Sequence, residues 1–403
     1  MIGPADLPLR HLDIAVAVAR AGGISAASGR INLSQPALTQ ALAKLEANLG
    51  QPLFTRQSTG TTATRAGDLF VDRAERALAL LSEGVRQLRR SARLAPIAHI
   101  ERLATMGQLQ ALNAVERSGS YVLAAREMAL SQPSVHRAVK ELEQIMGIDL
   151  LARVGRHVRP TMRAVRLVRA IRLMTSELQA AMDELAAIDR AGAGRIVIGA
   201  LPLPRAGVLP EALASFARSH GAAEVRIVEG PYIELLSGLR GGDIDLMVGA
   251  LRDPAPTRDV VQTPLFADDL HIVARAGHPL AGPDMPALPA LAAHPWIVGA
   301  RGAPMRATWE ALFAERQPAL RIDCSSILTA RGLLLEGDWL ALMSPDQFRI
   351  EQGCGLLATV GGALPGSRRE IGVTVRSGWH PTATQRGFIE ALRMAGERRT
   401  SGI

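Results

Sequence analysis

Residues 22–56 read GGISAASGRINLSQPALTQALAKLEANLGQPLFTR, and residues 119–153 read GSYVLAAREMALSQPSVHRAVKELEQIMGIDLLAR. The two stretches align without a gap at an offset of 97 residues, which pairs Gln35 with Gln132 and Glu46 with Glu143. Residue type and spacing therefore repeat together. Self-similarity over this length indicates a duplicated domain rather than a short solenoid repeat.

Each copy has the pattern of two helices joined by a tight turn. In the first copy an Ala-rich run at 25–31 is followed by a break, and Ser34 and Pro36 suit the N-cap and first turn of a second helix. Leucines at helical spacing, such as Leu38 and Leu42, leave the opposite, polar face outward. Such a pair reads base edges in the major groove of DNA, and the loop that follows predicts a wing.

The quoted motifs extend to residues on either side of the repeats. The first copy carries Leu12, Gly22, Ala27, Ser34-Gln35-Pro36, Leu45-Glu46, Leu49-Gly50, Leu53 to Arg56 and Thr64 to Gly67. The second copy carries Leu109, Gly119-Ser120, Ala124-Ala125, Ser131-Gln132-Pro133, Leu142-Glu143 and Arg153. With these residues the sequence resembles the LysR-type transcriptional regulators. The first copy departs from their pattern at Gly23 and Ser28, where Ser and Ala are usual, and the second at Leu151 and Ala164, where Phe and Gly are usual. The duplication is a further departure, because these proteins ordinarily carry one such domain per chain.

The charge is divided unevenly along the 403 residues. Residues 1–190 hold 25 Lys and Arg against 17 Asp and Glu, whereas the remainder holds 21 of each, so the net charge of +8 lies in the half with the repeats. This division favours double-stranded DNA as a partner of that half. The alternative is that these basic residues only lie on solvent-exposed helix faces and bind no partner.

The two copies differ in the residues they offer to DNA. After Arg56 the first wing, QSTGTTAT, carries no charge, whereas the second, VGRHVRPT, contains Arg156, His157 and Arg159. We expect the second copy to bind more tightly and with steeper salt dependence. The predicted DNA-binding residues are Ser34, Gln35, Pro36, Thr39, Gln40, Lys44, Arg56, Ser131, Gln132, Pro133, Ser134, His136, Arg137, Lys140, Arg153, Arg156 and Arg159.

A long helix with an apolar stripe follows each wing. The stripes are Phe70, Ala74, Leu78, Leu81, Val85 and Leu88, and Leu167, Ile171, Met174, Leu178, Met182, Leu185 and Ile188. A helix of about 26 residues is roughly 39 Å long, and the connector 94–101 spans up to about 25 Å. The two helices can therefore pair within one chain as a pseudo-dimer. The alternative is that each helix pairs with its equivalent in a second chain, as the resemblance implies.

Residues 194–403 change to alternating strands and helices, which predicts an α/β domain with a parallel sheet. Their order resembles the effector domain of LysR-type regulators, similar to type 2 periplasmic binding proteins. The expected fold is α/β multidomain, with winged helix-turn-helix domains at 1–64 and 102–162, linker helices at 65–93 and 163–191, a connector at 94–101, and the two-subdomain effector domain at 194–403. We expect subdomain I at 194–264 and 379–403, and subdomain II at 265–378.

An effector cleft between the two subdomains follows from this architecture. By position its lining is expected from Leu203, Arg205, Pro231, Tyr232, Gly249, Ala250, Arg301, Gly302, Ala303, Ser325 and Ser326. Arg205 or Arg301 can bind a carboxylate through two parallel hydrogen bonds, although a surface or salt-bridge role is the alternative. Tyr232 either stacks on a ring of the effector or only packs within the protein. These features suggest an organic acid or aromatic compound as the effector.

Other classes of protein are weakly supported. There is no nucleophile elbow, phosphate-binding Gly loop or HExxH helix, so we expect no enzymatic activity, no catalytic residue, no metal and no cofactor. The two cysteines, Cys324 and Cys354, are expected to be ordinary buried thiols. No signal peptide or membrane-spanning run is evident, so we expect a cytoplasmic homo-oligomer that contacts RNA polymerase if it is an activator. A DNA-organising protein with a degenerate, ligand-unresponsive C-terminal domain is the alternative.

Overall fold

The computed structural model describes residues 2–57, 60–155 and 157–400. The chain divides into two compact units, with the boundary between Arg195 and Ile196, and Gly241–Asp243 belong to the first unit. Among the described residues, no helix combines the length and apolar composition needed to span a membrane.

The first unit begins with three helices and a hairpin. A 3₁₀ turn at Pro4–Asp6 precedes α1 (Leu9–Ala21), α2 (Ile24–Ile31), α3 (Gln35–Leu49), β1 (Phe54–Gln57), β2 (Gly60–Ala63) and the long α4 (Arg65–Ser91). The same order then recurs: α5 (Ile100–Leu103), α6 (Met106–Ser118), α7 (Tyr121–Glu127), α8 (Gln132–Met146), β3 (Leu151–Val154), β4 (His157–Pro160) and the long α9 (Val165–Asp189). The bounds of α1 and α6, of α3 and α8, and of the hairpin strands differ by the 97 residues of the sequence repeat.

One glutamate in each copy joins the second helix of the motif to the hairpin. The Oε1 atom of Glu46 accepts hydrogen bonds from the backbone N–H groups of Leu53 and Phe54 at 2.8 and 3.0 Å. Its equivalent, Glu143, accepts from Leu150 and Leu151 at 2.8 and 3.2 Å. Each carboxylate thus satisfies two backbone donors and fixes the start of the wing.

The starts of the long helices differ between the copies. A Cβ atom at Gly67 would lie 2.0 Å from the carbonyl oxygen of Leu53, so only glycine fits the first turn of α4. The equivalent residue is the buried Ala164, and α9 begins after it, at Val165. The second copy thus carries a methyl group where the first copy has no room for one, and its long helix begins later relative to the repeat.

The long helices α4 and α9 pack against each other within the chain. They are antiparallel, since Arg73 near the start of α4 contacts Glu184 near the end of α9, whereas Gly84 in α4 lies against Ala170 in α9. Both stripes enter one continuous core, in which Phe70, Leu81, Ile171 and Leu178 are fully buried. Of the stripe residues only Ile188, at the end of α9, is exposed. Of the two predicted alternatives, the structure shows the one in which the two long helices pair within one chain.

The second unit is α/β. It contains β5 (Gly194–Ala200), α10 (Val208–Ser219), β6 (Ala223–Glu229), α11 (Tyr232–Gly241), β7 (Leu246–Ala250), β8 (Val260–Asp268), β9 (His271–Arg275), α12 (Leu288–Ala292), β10 (Trp296–Val298), α13 (Pro304–Leu312), β11 (Arg321–Asp323), α14 (Ile327–Glu336), β12 (Leu340–Met343), α15 (Pro345–Gly353), β13 (Leu357–Ala363), β14 (Arg369–Arg376) and α16 (Ala383–Thr400).

These strands form two five-stranded sheets, in the orders β6-β5-β7-β14-β8 and β11-β10-β12-β9-β13. The prediction of a parallel sheet is wrong in part: β5 and β7 are parallel, but β14 runs antiparallel to both β7 and β8. The bounds predicted for subdomain II, 265–378, therefore do not coincide with the bounds of the second sheet. Its last strand, β14, pairs within the first sheet, and β8 continues in that sheet to Asp268.

Candidate DNA-binding surfaces and effector cleft

The outward face of α3 presents most of the residues predicted for the first copy. Gln35, Pro36, Gln40 and Lys44 are exposed, and Thr39 is partly exposed. The hydroxyl of Ser34 caps the helix by accepting from the N–H of Ala37 at 3.4 Å. The side chain of Arg56 lies outside the described residues.

The outward face of α8 presents the matching residues of the second copy. Ser131 caps this helix through the N–H of Ser134 at 3.2 Å, and Gln132, Pro133, His136, Arg137 and Lys140 are all exposed. Arg153 and Arg159 are exposed on the hairpin, and Arg156 lies outside the described residues.

Two of the α8 residues have partners in the protein. The Nζ atom of Lys140 lies 2.7 Å from Oε2 of Glu143, and this hydrogen bond raises the pKa of Lys140. The ring of His136 lies 5.1 Å from that of Tyr121. Lys140 is therefore held by the same glutamate that fixes the wing, whereas Arg137 has no such anchor among the described contacts.

A cleft of about 200 Å³ opens beside α3 and includes two basic residues that the motif analysis did not single out as DNA contacts. It is lined by Arg10, His11, Ile14, Leu33, Ala37, Gln40, Ala41 and Lys44. Burial, followed by the charges of Lys44 and Arg10, lowers the pKa of His11. Arg10 and His11 lie in α1, and only the packing of α1 on α3 brings them to this face, which the sequence motif does not show.

In the second unit a small cleft of about 110 Å³ contains three of the predicted effector residues, Ala303, Ser325 and Ser326. The hydroxyl of Ser326 caps α14 by accepting from the N–H of Thr329 at 3.2 Å. The full lining is Pro202, Ile297, Val298, Gly299, Ala300, Ala303, Met305, Cys324, Ser325, Ser326, Ile327, Ala330, Ala341, Leu342, Met343 and Gln347. Most of these side chains are apolar, so the cleft suits a small apolar group with a polar end.

The other predicted effector residues lie outside this cleft. The side chain of Leu203 is buried in the core of the first sheet, and Arg205 forms an ion pair with Glu229. Gly249 packs against Leu201. Of the remaining positions, Pro231, Arg301 and Gly302 are exposed and Ala250 is partly exposed.

Arg252 joins two of these positions and was missed by the sequence analysis. Its guanidinium carbon lies 4.5 Å from the ring centroid of Tyr232, and its Nη2 donates to the carbonyl oxygen of Gly302 at 3.3 Å. Its backbone is held by Gln262, whose side chain exchanges hydrogen bonds with the Arg252 N–H and C=O at 3.0 and 2.7 Å. Burial raises the pKa of Tyr232. Arg252 is thus a cation held at a point where two of the predicted lining segments meet.

The cysteines and acidic residues show no reactive arrangement. Cys324 is partly exposed and donates to the carbonyl oxygen of Ser326 at 3.3 Å, and Cys354 is exposed, so the prediction of two buried thiols is wrong. Cys354 is exposed because it lies in the surface turn that ends α15. Asp245 is buried and accepts from the N–H of Val197 at 2.7 Å, a structural role. Within the described ranges no group of three or more His, Cys, Asp or Glu side chains is placed to hold a metal ion.

Comparison with known proteins decides the family. Residues 189–397 match the family model described as "LysR substrate binding domain". Residues 9–68 and 106–164 each match the model "Bacterial regulatory helix-turn-helix protein, lysR family". The chain belongs to the LysR family of transcriptional regulators.

Similar proteins cover the chain to different extents. The HTH-type transcriptional regulator GalR of Pseudomonas putida is 33% identical over 377 residues, which cover 93% of this chain and 94% of GalR. PcaQ of Agrobacterium fabrum is 29% identical over 301 residues, which cover 73% of this chain and 97% of PcaQ. The solved structure of CbnR, a LysR family transcriptional regulator, has a TM-score of 0.50 at 19% identity, covers 72% of this chain and 98% of CbnR, and is similar in fold alone.

This LysR-family protein therefore has the helix-turn-helix sequence of DNA-binding transcriptional regulators and an effector-binding α/β domain. The α3 and α8 surfaces lie inside the two helix-turn-helix matches. The small cleft lies inside the effector-domain match, within a periplasmic-binding-protein-like fold.

Proposed function

We propose that the protein is a LysR-type transcriptional regulator in which both copies are winged helix-turn-helix domains that bind operator DNA. The supporting observation is that each of the two family matches contains a capped helix with an exposed polar face, α3 in one and α8 in the other. The alignment with GalR covers 93% of this chain and so includes sequence from both copies. The seventeen residues predicted above to bind DNA are proposed as the contacts, with Arg10 added beside α3.

The proposed effector is a small organic acid or aromatic compound bound in the second unit. The cleft at Ala303, Ser325 and Ser326 would take its apolar part, and Arg252 offers a cation to a carboxylate. The exposed or partly exposed positions Pro231, Tyr232, Ala250, Arg301 and Gly302 complete the proposed site, whereas Leu203 and Gly249 are buried and Arg205 is paired with Glu229. Effector binding would act by favouring one of two arrangements of the protein on DNA.

The remaining properties follow from the family. We propose that the protein works in the cytoplasm as a homo-oligomer, catalyses no reaction, and contacts RNA polymerase if it is an activator. The proposal is supported by relatives that are transcriptional regulators.

Selection of binding sites from random double-stranded DNA by the full chain tests DNA recognition. We expect a specific sequence to be enriched. Binding without any sequence preference would contradict the regulator and favour the DNA-organising alternative.

Thermal stability of the full chain with benzoate, hydroxybenzoates and linear dicarboxylates tests the effector site. We expect one of these classes to raise the melting temperature, and the variant Ala303→Phe to abolish that increase by filling the cleft. The matched control Leu328→Phe changes an exposed residue of α14 outside the lining and should keep the increase. An increase that survives Ala303→Phe would place the effector elsewhere.

A further inference from the structure

We infer that a single chain presents a complete pair of DNA-binding domains, locked together by α4 and α9, and that its target is therefore an asymmetric element with two different half-sites. This inference rests on the proposed function, since it requires both copies to bind DNA. It concerns the form of the DNA target, which the proposed function leaves open.

The first step is that the pairing surface of each long helix is already occupied by the other. Phe70 and Leu81 of α4 and Ile171 and Leu178 of α9 are fully buried in one shared core and have no accessible surface left. Arg73 is also buried there, bound to Glu177 and Glu184 of α9. An apolar stripe that is covered within its own chain has no surface to offer to a second chain.

The second step is that the end of each long helix is bound by the other copy. The Nε2 atom of Gln51, just after α3, donates to Oδ2 of Asp189 at 2.6 Å and to the carbonyl of Leu185 at 3.2 Å, both at the end of α9. Reciprocally, Nη1 of Arg89, near the end of α4, donates to the carbonyl of Met146 at the end of α8, at 2.7 Å. The two copies therefore lie at opposite ends of the helix pair in a pseudo-twofold arrangement.

The third step concerns spacing along DNA. Helix α4 has 27 residues, which corresponds to about 40 Å. The length of the helix pair that joins the two copies is therefore on the order of one turn of B-DNA, about 34–36 Å. A pair of recognition helices at this spacing can occupy successive major grooves on one side of the duplex.

The fourth step is that the two recognition surfaces are chemically different. At the same helical position, Gln40 of α3 corresponds to Arg137 of α8, and Thr39 corresponds to His136. Glutamine pairs best with adenine and arginine with guanine in the major groove. A symmetric dimer built from two copies of one surface requires an inverted repeat, but these two surfaces require two unlike half-sites.

Site selection with the full chain and two matched variants, Gln40→Ala and Arg137→Ala, tests the inference. Both positions are exposed and equivalent, so each variant is the control for the other. We expect the wild-type chain to select an element with unlike halves. Each variant should lose base preference in one half only, and a different half for each variant. Association of two chains through their second units would place two copies of this element on the DNA, and each copy would keep its unlike halves.

The other outcomes separate the inference from the function on which it rests. An inverted repeat within the element that a single chain covers, with both of its halves altered by one variant, would overturn the inference and leave the regulator intact. A site that depends on only one of the two positions would overturn it as well. If no sequence is enriched, the proposed function itself fails.

Discussion

Arg73 in α4 and Glu184 in α9 form a two-pronged ion pair inside one chain, with Nε 3.1 Å from Oε2 and Nη2 2.8 Å from Oε1. Nη1 of the same guanidinium lies 3.0 Å from Oε2 of Glu177. The side chain of Arg73 is only 3% exposed. A buried cation with two carboxylates permits one register of the antiparallel helices, because any slip would leave charges unpaired in the core.

Arg73→Ala should therefore destabilise the first unit strongly. Removing one partner of a buried ion pair costs about 3–5 kcal/mol, because the remaining charges stay buried without compensation. Arg76→Ala is the matched control: Arg76 also contacts Glu177, at 3.4 Å, but is 27% exposed, so we expect a loss of under about 1 kcal/mol. Urea unfolding of both variants measures the difference, and equal losses would contradict the prediction.

Gly84 lies at a close approach of the two helices. A Cβ atom there would lie 2.3 Å from Cβ of Ala170, so Gly84→Ala should cost about 1–3 kcal/mol through overpacking. Gly29→Ala, in α2 with nothing near its Cβ position, should be neutral or stabilising by up to about 1 kcal/mol. Adding Ala170→Gly to Gly84→Ala should recover part of the loss. Independent, additive effects in urea unfolding would show that the two residues do not meet.

The glutamates that fix the wings should act locally. Glu46→Ala leaves the N–H groups of Leu53 and Phe54 without an acceptor, which costs about 1–3 kcal/mol. We expect faster hydrogen exchange at these two amides and unchanged exchange at Leu150 and Leu151 in the second copy. Glu46→Gln keeps an acceptor oxygen and should retain most of the protection. Faster exchange in both hairpins would mean that the copies are coupled.

Much of the first unit could be predicted because its pattern is local. The bounds of α3 and α8 follow from the cap, the proline and the spacing of apolar residues in each copy. The partner of each stripe could not be predicted, since a stripe such as that of Phe70 shows that a helix needs a partner but not whether the partner belongs to the same chain. The connector length left both choices open, and the contact between Arg73 and Glu184 is a long-range relationship.

The effector region was less predictable for a similar reason. The strand order of the second unit depends on β14, which returns to the first sheet after the whole of subdomain II and carries no local sign of doing so. Arg252 reaches Gly302 across 50 residues of sequence. The lining residues were predicted from their positions along the chain. Ser325 and Ser326 do line the cleft, but Leu203 lies in the core instead.

The second unit should lose stability in acid through His278. This histidine is buried, its Nδ1 accepts from the N–H of Leu280 at 3.0 Å, and burial and then the nearby His294 lower its pKa below the usual 6.5. Asp338 and Arg275 also face it and act in opposite directions. A lowered pKa in the folded state means that the unfolded chain binds the proton more tightly, so stability is present above about pH 6.5 and is lost as pH falls below it.

His278→Asn tests this prediction, because the amide oxygen can accept from Leu280 but cannot titrate. We expect a smaller fall in the melting temperature of the variant between pH 7.5 and pH 5.5 than in the wild type. Calorimetry at both pH values gives the comparison. An identical fall in the two proteins would assign the pH dependence to other groups.

The salt dependence of DNA binding should separate the two kinds of contact on the recognition surfaces. Arg159 is exposed on the second hairpin, where a wing follows the DNA backbone, so Arg159→Ala should weaken binding to selected and random DNA alike. The slope of log affinity against log salt concentration should become shallower by about 0.9, the value for one lost phosphate contact.

Gln40 is uncharged, so Gln40→Ala should weaken binding to the selected site only and leave the slope unchanged. Fluorescence anisotropy over a series of salt concentrations measures both quantities. A slope that Arg159→Ala does not change would show that Arg159 does not touch the phosphates, and the greater salt dependence expected of the second copy would then have to come from its other basic residues.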